Sequence, residues 1–111
     1  MKSANTLKLN KDFKRLYYRG KCVVARSCVV YMSKNRLGRN RLGLTCGKTI
    51  GKATKRTRAK RLMRESYRLL SPELKSGYDI VIIARTRIID KKCGDVLKDV
   101  RYAFSKLDMM I

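Results

Sequence analysis

The sequence predicts an α+β fold, of the α/β sandwich-like kind, in which helices pack on a small mixed sheet. Three observations carry this. Apolar residues recur at helical spacing in three separated stretches, at 13–17, 59–70 and 93–107. Between them lie short runs rich in Val, Ile and Tyr, with strand length and strand composition. Residues 78–85 are almost continuously apolar, the pattern of a strand buried on both faces. The 111 residues contain one proline, no internal repeat and no Pro- or Ser-rich linker, so a single domain over 1–111 is expected.

The first helix is expected from Asn10, a suitable N-cap, with Asp12 in the positive first turn and Gly20 closing the end. Phe13, Leu16 and Tyr17 share one of its faces. Lys21 to Met32 is β-like, through Val23, Val24, Val29, Val30 and Tyr31. The polar stretch 33–40 reads as a hairpin loop leading into a strand over 41–46, with Leu42, Leu44 and Cys46 on one face. A second helix follows, its apolar stripe made of Ala59, Leu62, Met63, Tyr67 and Leu70, and Pro72 marks its end. After the strand at Tyr78–Arg85, Asp90 is the expected cap of a last helix with a broad stripe from Cys93 to Leu107. Residue pattern alone thus reads α-β-β-α-β-α.

Charge is the strongest functional signal. Lys and Arg number 29 against 8 Asp and Glu, a net charge of +21, which repels itself and calls for a dense polyanion as partner. Nucleic acid fits better than an anionic membrane. The longest apolar runs are too short to span a bilayer and the N-terminus has no secretory pattern, so the expected address is cytoplasmic. Cys22, Cys28, Cys46 and Cys93 form no C-x-x-C pair, and there is no histidine. Reduced, buried cysteines with no disulfide partner and no metal site are therefore expected. The same lack of histidine removes the commonest acid–base group, so no catalytic residue is assigned. Asp95 and Asp99 share a helix face, but a solvated face balanced by Lys91 and Lys98 accounts for them better than a metal pair.

The segment Lys48–Arg68 holds nine cations and one anion. With Ala59 at zero and 100° per residue, its apolar residues fall within about 80° of that direction, while Thr57, Arg61, Arg64 and Arg68 lie at about 140–200°. A merely soluble face would interleave Glu with Lys, because like charges four apart destabilise a helix. Here Arg56, Lys60 and Arg64 follow one another at that spacing, as do Arg64 and Arg68. Guanidinium is also the group that grips phosphate in bidentate fashion. This face is read as a phosphate-binding surface. The preceding Gly47–Lys52 loop fails the nucleotide-binding loop template, since Gly47 and Gly51 are too close and Ala53 follows Lys52. It reads as an RNA-contacting loop. Phe13 and Tyr17 on the first helix, and Val29 and Tyr31 on a strand, are either core residues or an open trough on which unpaired bases stack; composition leaves both open.

These residues resemble the protein component of bacterial ribonuclease P. The family's Arg-Asn-Arg run matches Lys55–Glu65, here KRTRAKRLMRE; Arg41–Thr45 and Ile50–Ala53 resemble its preceding strand and loop. Gly77–Arg85 is similar to its last strand, and Leu7–Gly20 to its first helix. Thr57 stands where the family has Asn, and Thr49 where lysine is frequent. The resemblance implies an α-β-β-β-α-β-α order with a left-handed crossover around the basic helix, where the general rule gives a right-handed one. It implies that Lys48, Lys52, Arg56, Thr57, Arg58, Lys60, Arg61, Arg64 and Arg68 contact the ribonuclease P RNA. It also implies that Phe13, Tyr17, Val29 and Tyr31 hold the 5′ leader of precursor tRNA, with no tightly bound cofactor in the protein and Mg²⁺ required by the RNA-containing holoenzyme. The rival readings are a structural RNA-binding protein of ribosomal type, an independent nuclease and, more weakly, a DNA-binding regulator.

Overall fold

The computed structural model describes residues 10–111, with side chains from residue 13 onward. The elements are α1 (Asn10–Arg19), β1 (Lys21–Val24), β2 (Cys28–Lys34), β3 (Arg41–Thr45), α2 (Ala53–Leu70), β4 (Tyr78–Ala84) and α3 (Cys93–Lys106). The expected capping by Asn10 and Asp12 lies outside the described side chains. At the other end of α1, Gly20 donates its N–H to the Leu16 carbonyl at 2.9 Å. A Cβ there would sit 2.5 Å from that oxygen and 2.9 Å from the Met32 carbonyl, so the chain passes too close for any side chain.

The β-like stretch 21–32 is two strands, β1 and β2, folded back at Ala25–Ser27 and paired antiparallel. Asp99 of α3 secures this turn, accepting from both the N–H of Ser27 (3.0 Å) and its hydroxyl (2.5 Å). The sheet order is β1-β2-β4-β3. That order overturns the hairpin expected at 33–40. β2 and β3 are separated by β4, which runs antiparallel to β2 and parallel to β3. The physical reason lies in β4, whose apolar residues on both faces require a central place, with the connection through α2 long enough to bring it there.

Two layers cover the sheet. Cys28, Val30 and Met32 of β2, Leu42 of β3, and Ile80, Ile82 and Ala84 of β4 face α2 and α3 in the main core. Ala59, Met63 and Leu70 of α2 and Val96, Val100, Ala103 and Phe104 of α3 complete it, as their helical spacing predicted. Among the described residues the opposite face carries only α1, and its cluster is small: Leu16 and Val81 are buried, with Phe13, Tyr31 and Ile83 partly so. Asp90 does not cap α3. It closes a 3₁₀ turn (Thr86–Asp90), and Asp95 caps the helix instead, its carboxylate accepting from the Lys92 N–H at 3.0 Å. No described helix is long and apolar enough to cross a membrane.

Candidate nucleic-acid interface

The basic helix α2 buries Ala59, Met63, Ser66 and Leu70 and exposes Thr57, Arg61, Arg64 and Arg68. The guanidinium row is therefore a real surface, held in place by the apolar stripe behind it. Arg68 is drawn along the helix by Glu65, which accepts from its Nε at 3.0 Å and from its terminal nitrogen. The same hydrogen bond lowers the Glu65 carboxyl below its usual range. No carboxylate pairs with Arg61 or Arg64 among the described residues. Lys48, in a 3₁₀ turn (Lys48–Ile50), and Lys52, just ahead of the helix, are both exposed beside its positive N-terminal end.

Three predicted contact residues leave this row. Arg58 turns toward the 3₁₀ turn before α3 and donates to the carbonyls of Ile89 (3.1 Å) and Lys91 (2.7 Å). Its geometry is that of a structural brace, although its surface remains exposed. Arg56 is half-buried, and its Nε is enclosed without a hydrogen-bond partner. Together with Lys60 it lines a small recess, completed by Cys46 and Thr57, at the end of β3. Burial raises the Cys46 thiol pKa more than the charges of Lys60 and Arg56 lower it.

On the other face, the aromatic residues meet. Phe13 and Tyr17 have ring centroids 6.5 Å apart, and Tyr17 stands edge-on to Tyr31 at 5.1 Å. Tyr17 is 42% exposed, while Phe13, Val29 and Tyr31 are half-buried. Leu16 and Val81 form the buried base of this face, and Phe13, Tyr31 and Ile83 pack against it, partly buried. Lys14 and Thr45 line the trough with Phe13 and Tyr17. Ile83 joins them through its pairing opposite Val29 in the β2–β4 register. Its alternation along β4 is legible in the sequence; which face it shares is not, until the strand pairing is known.

The two surfaces meet at the β3 edge. Thr45 lines the trough and the next residue, Cys46, lines the recess beside Arg56 and Lys60. Asp95 accepts from the Lys92 N–H, and Asp99 accepts from the N–H and hydroxyl of Ser27. Among the described residues there is no grouping of three acidic or cysteine side chains able to hold a metal.

A model of the family described as Ribonuclease P matches residues 1–108. The chain belongs to the ribonuclease P protein family. It is similar to the ribonuclease P protein component of Clostridium botulinum (strain Loch Maree / Type A3), 46% identical over 93 residues that cover 83% of this chain and 84% of that one. The corresponding protein of Alkaliphilus oremlandii is 34% identical over 110 residues, covering 99% of this chain and 96% of its own. Among solved structures, the RNase P protein of Staphylococcus aureus superposes with a TM-score of 0.88 at 28% identity, covering 98% of this chain and all of that one. That of Thermotoga maritima gives 0.79 at 30% identity, covering 87% and 92%. The three helices and four-stranded mixed sheet are the fold of these proteins. As a family member, the chain is a protein subunit of an endoribonuclease and not its catalyst, with RNA as its partner.

Proposed function

We propose that this subunit holds the ribonuclease P RNA along α2 and the single-stranded 5′ leader of precursor tRNA in the trough under α1. The observation that carries this reading is the meeting of the two surfaces at Thr45 and Cys46. A strand lying in the trough passes directly beside the helix that grips the RNA subunit.

Phosphates along α2 meet Arg61 and Arg64, with Lys48, Lys52 and Thr57 toward the N-terminal end; each such pairing releases condensed counterions and lowers repulsion between the two RNAs. Unpaired leader bases lie against Phe13, Tyr17 and Tyr31, a sequence-tolerant mode because every base has a π face. Arg56 and Lys60 sit at the junction and neutralise whichever backbone crosses the sheet edge. Fixing the leader relative to the RNA subunit raises the population of correctly placed substrate, which is positioning without protein chemistry. The Mg²⁺ of the holoenzyme belongs with the RNA in this reading. The subunit acts as one RNA-binding domain, in the cytoplasm where its RNA partners are.

The test is single-turnover cleavage of precursor tRNA by a bacterial ribonuclease P RNA at low Mg²⁺, with and without this chain. Cleavage that requires both supports the proposal. Equal cleavage by RNA alone refutes it in favour of a structural RNA-binding protein, and cleavage by the protein alone refutes it in favour of a nuclease.

A further inference from the structure

Between the C-terminal half of α2 and the loop that carries the chain from β2 to β3 lies an open cavity of about 560 Å³. Tyr67, Pro72 and Leu74 give it an apolar floor, and Arg39, Arg64 and Arg68 give it a cationic rim. Arg39 precedes the basic segment in sequence; the β2–β3 crossing brings it to the same cavity as Arg64.

The walls are fixed in advance. The Asn40 amide donates to the Lys75 carbonyl and its oxygen accepts from the Tyr78 N–H, both at 2.9 Å. The Tyr67 ring stands edge-on to Phe104 at 6.4 Å. The loop is tied internally, with the Asn35 amide donating to the Arg39 carbonyl and its oxygen accepting from the Leu37 N–H, each at 2.9 Å. A preformed cavity of this size loses little freedom when it binds.

We propose that this cavity receives one unpaired nucleotide of the RNA bound along α2, its base on the Tyr67–Leu74 floor and its phosphate between Arg39 and Arg64. The rim selects phosphate, because guanidinium pairs with it in bidentate fashion. Glu65 engages Arg68, which leaves the phosphate to the other two arginines. The floor selects the base. A paired duplex would put phosphates on the rim and leave the floor in water, whereas a splayed base buries its π face there. The proposal rests on α2 as the RNA-binding helix and adds recognition of a base to an interface otherwise made of phosphate pairings.

The test is a titration of the full chain, followed by NMR, with adenosine monophosphate, uridine monophosphate, ribose 5-phosphate and inorganic phosphate. The nucleotides should give saturable shifts at Asn40, Tyr67 and Leu74, with ribose 5-phosphate binding about tenfold more weakly for want of a base. Ser76→Trp, on an exposed residue lining the cavity, should abolish that tenfold preference without moving the thermal midpoint. In binding to ribonuclease P RNA the same variant should weaken affinity several-fold while leaving the salt slope unchanged, because it displaces a base and leaves every phosphate paired. Ribose 5-phosphate or phosphate binding as well as the nucleotides, or nucleotide shifts confined to the α1 trough, would overturn the proposal. Wild-type RNA affinity in Ser76→Trp, alongside a reduced slope in Arg61→Ala, would remove the cavity alone. An unchanged slope in Arg61→Ala would instead remove α2 as the RNA-binding face.

Discussion

Asp79→Ala should be among the most damaging single substitutions in this protein, although the residue belongs to neither candidate RNA-binding surface. Its side chain is 1% exposed on β4 and collects four hydrogen bonds: from Arg41 Nε (2.8 Å) and its terminal nitrogen (2.7 Å), from the Asn35 amide (2.9 Å) and from Arg15 (3.2 Å). One carboxylate thereby ties α1, the β2–β3 crossing and β3 to the central strand. Arg15 keeps 47% of its side chain in solvent, so that pair adds at most about 1 kcal/mol. Arg41 is 21% exposed, and breaking a buried pair costs about 3–5 kcal/mol; with its partial exposure the low end applies, about 3 kcal/mol. For a domain of this size that is a fall in Tm of roughly 13 °C. Burial by itself would raise the Asp79 carboxyl, but hydrogen bonds from Arg41 and Asn35 and the charges of Arg41 and Arg15 outweigh it, and its pKa is lowered. The stabilisation is therefore present above the unfolded carboxylate pKa, about 3.9, and is lost as pH falls through the lower folded value. Thermal and urea unfolding followed by circular dichroism at pH 7 and below 4 test both parts. A variant that melts with the wild type, or one that keeps the wild type's full loss of stability in acid, would refute the reasoning.

Arg61→Ala and Arg64→Ala should each flatten the log-salt slope of RNA-subunit binding by about 0.7–0.9 for every phosphate left unneutralised, read from affinities over a salt series. Phe13→Ala or Tyr17→Ala should weaken precursor tRNA binding by about 1–3 kcal/mol per missing stack and leave mature tRNA unaffected; equal effects on both would return these rings to a packing role. Arg58→Ala should lower unfolding stability by about 1 kcal/mol, through the carbonyls of Ile89 and Lys91, and change RNA affinity less than Arg61→Ala does. Burial, with the nearby charge of Asp99, pushes the Cys28 thiol up to about 12, whereas Cys22 is exposed. Iodoacetamide at pH 8 should therefore modify Cys22 in the native protein and reach Cys28 only in denaturant, as mass spectrometry would show.

Much of the molecule follows from local pattern. The apolar stripes of α2 and α3, the doubly buried β4 and the arginine face opposite Ala59 and Met63 are all periodicities within one element. Burying an element's apolar residues fixes where its charges point, so a helical wheel suffices to expose Arg61 and Arg64. The +21 charge and the missing histidine likewise narrow the function to binding a polyanion without protein acid–base chemistry of the commonest kind.

What the tertiary structure decided involves partners distant in sequence. The stretch 33–40 has hairpin composition, yet β4 enters between its two strands, because a strand apolar on both faces gains most from the centre of the sheet. Asp90 is the cap that composition suggests, but a 3₁₀ turn absorbs it, and Asp95, inside the first turn of α3, accepts from the Lys92 N–H instead. Arg58 lies within the same basic run as Arg61, and only the nearness of two carbonyls some thirty residues away makes it a brace. Phe13 and Tyr17 share a face of α1 by spacing, and only the packing of α1 on the sheet leaves Tyr17 42% exposed while Phe13 packs partly buried against Leu16 and Val81. Periodicity reports which side of an element is apolar; how much of that side is covered depends on neighbours that the element's own residues do not specify.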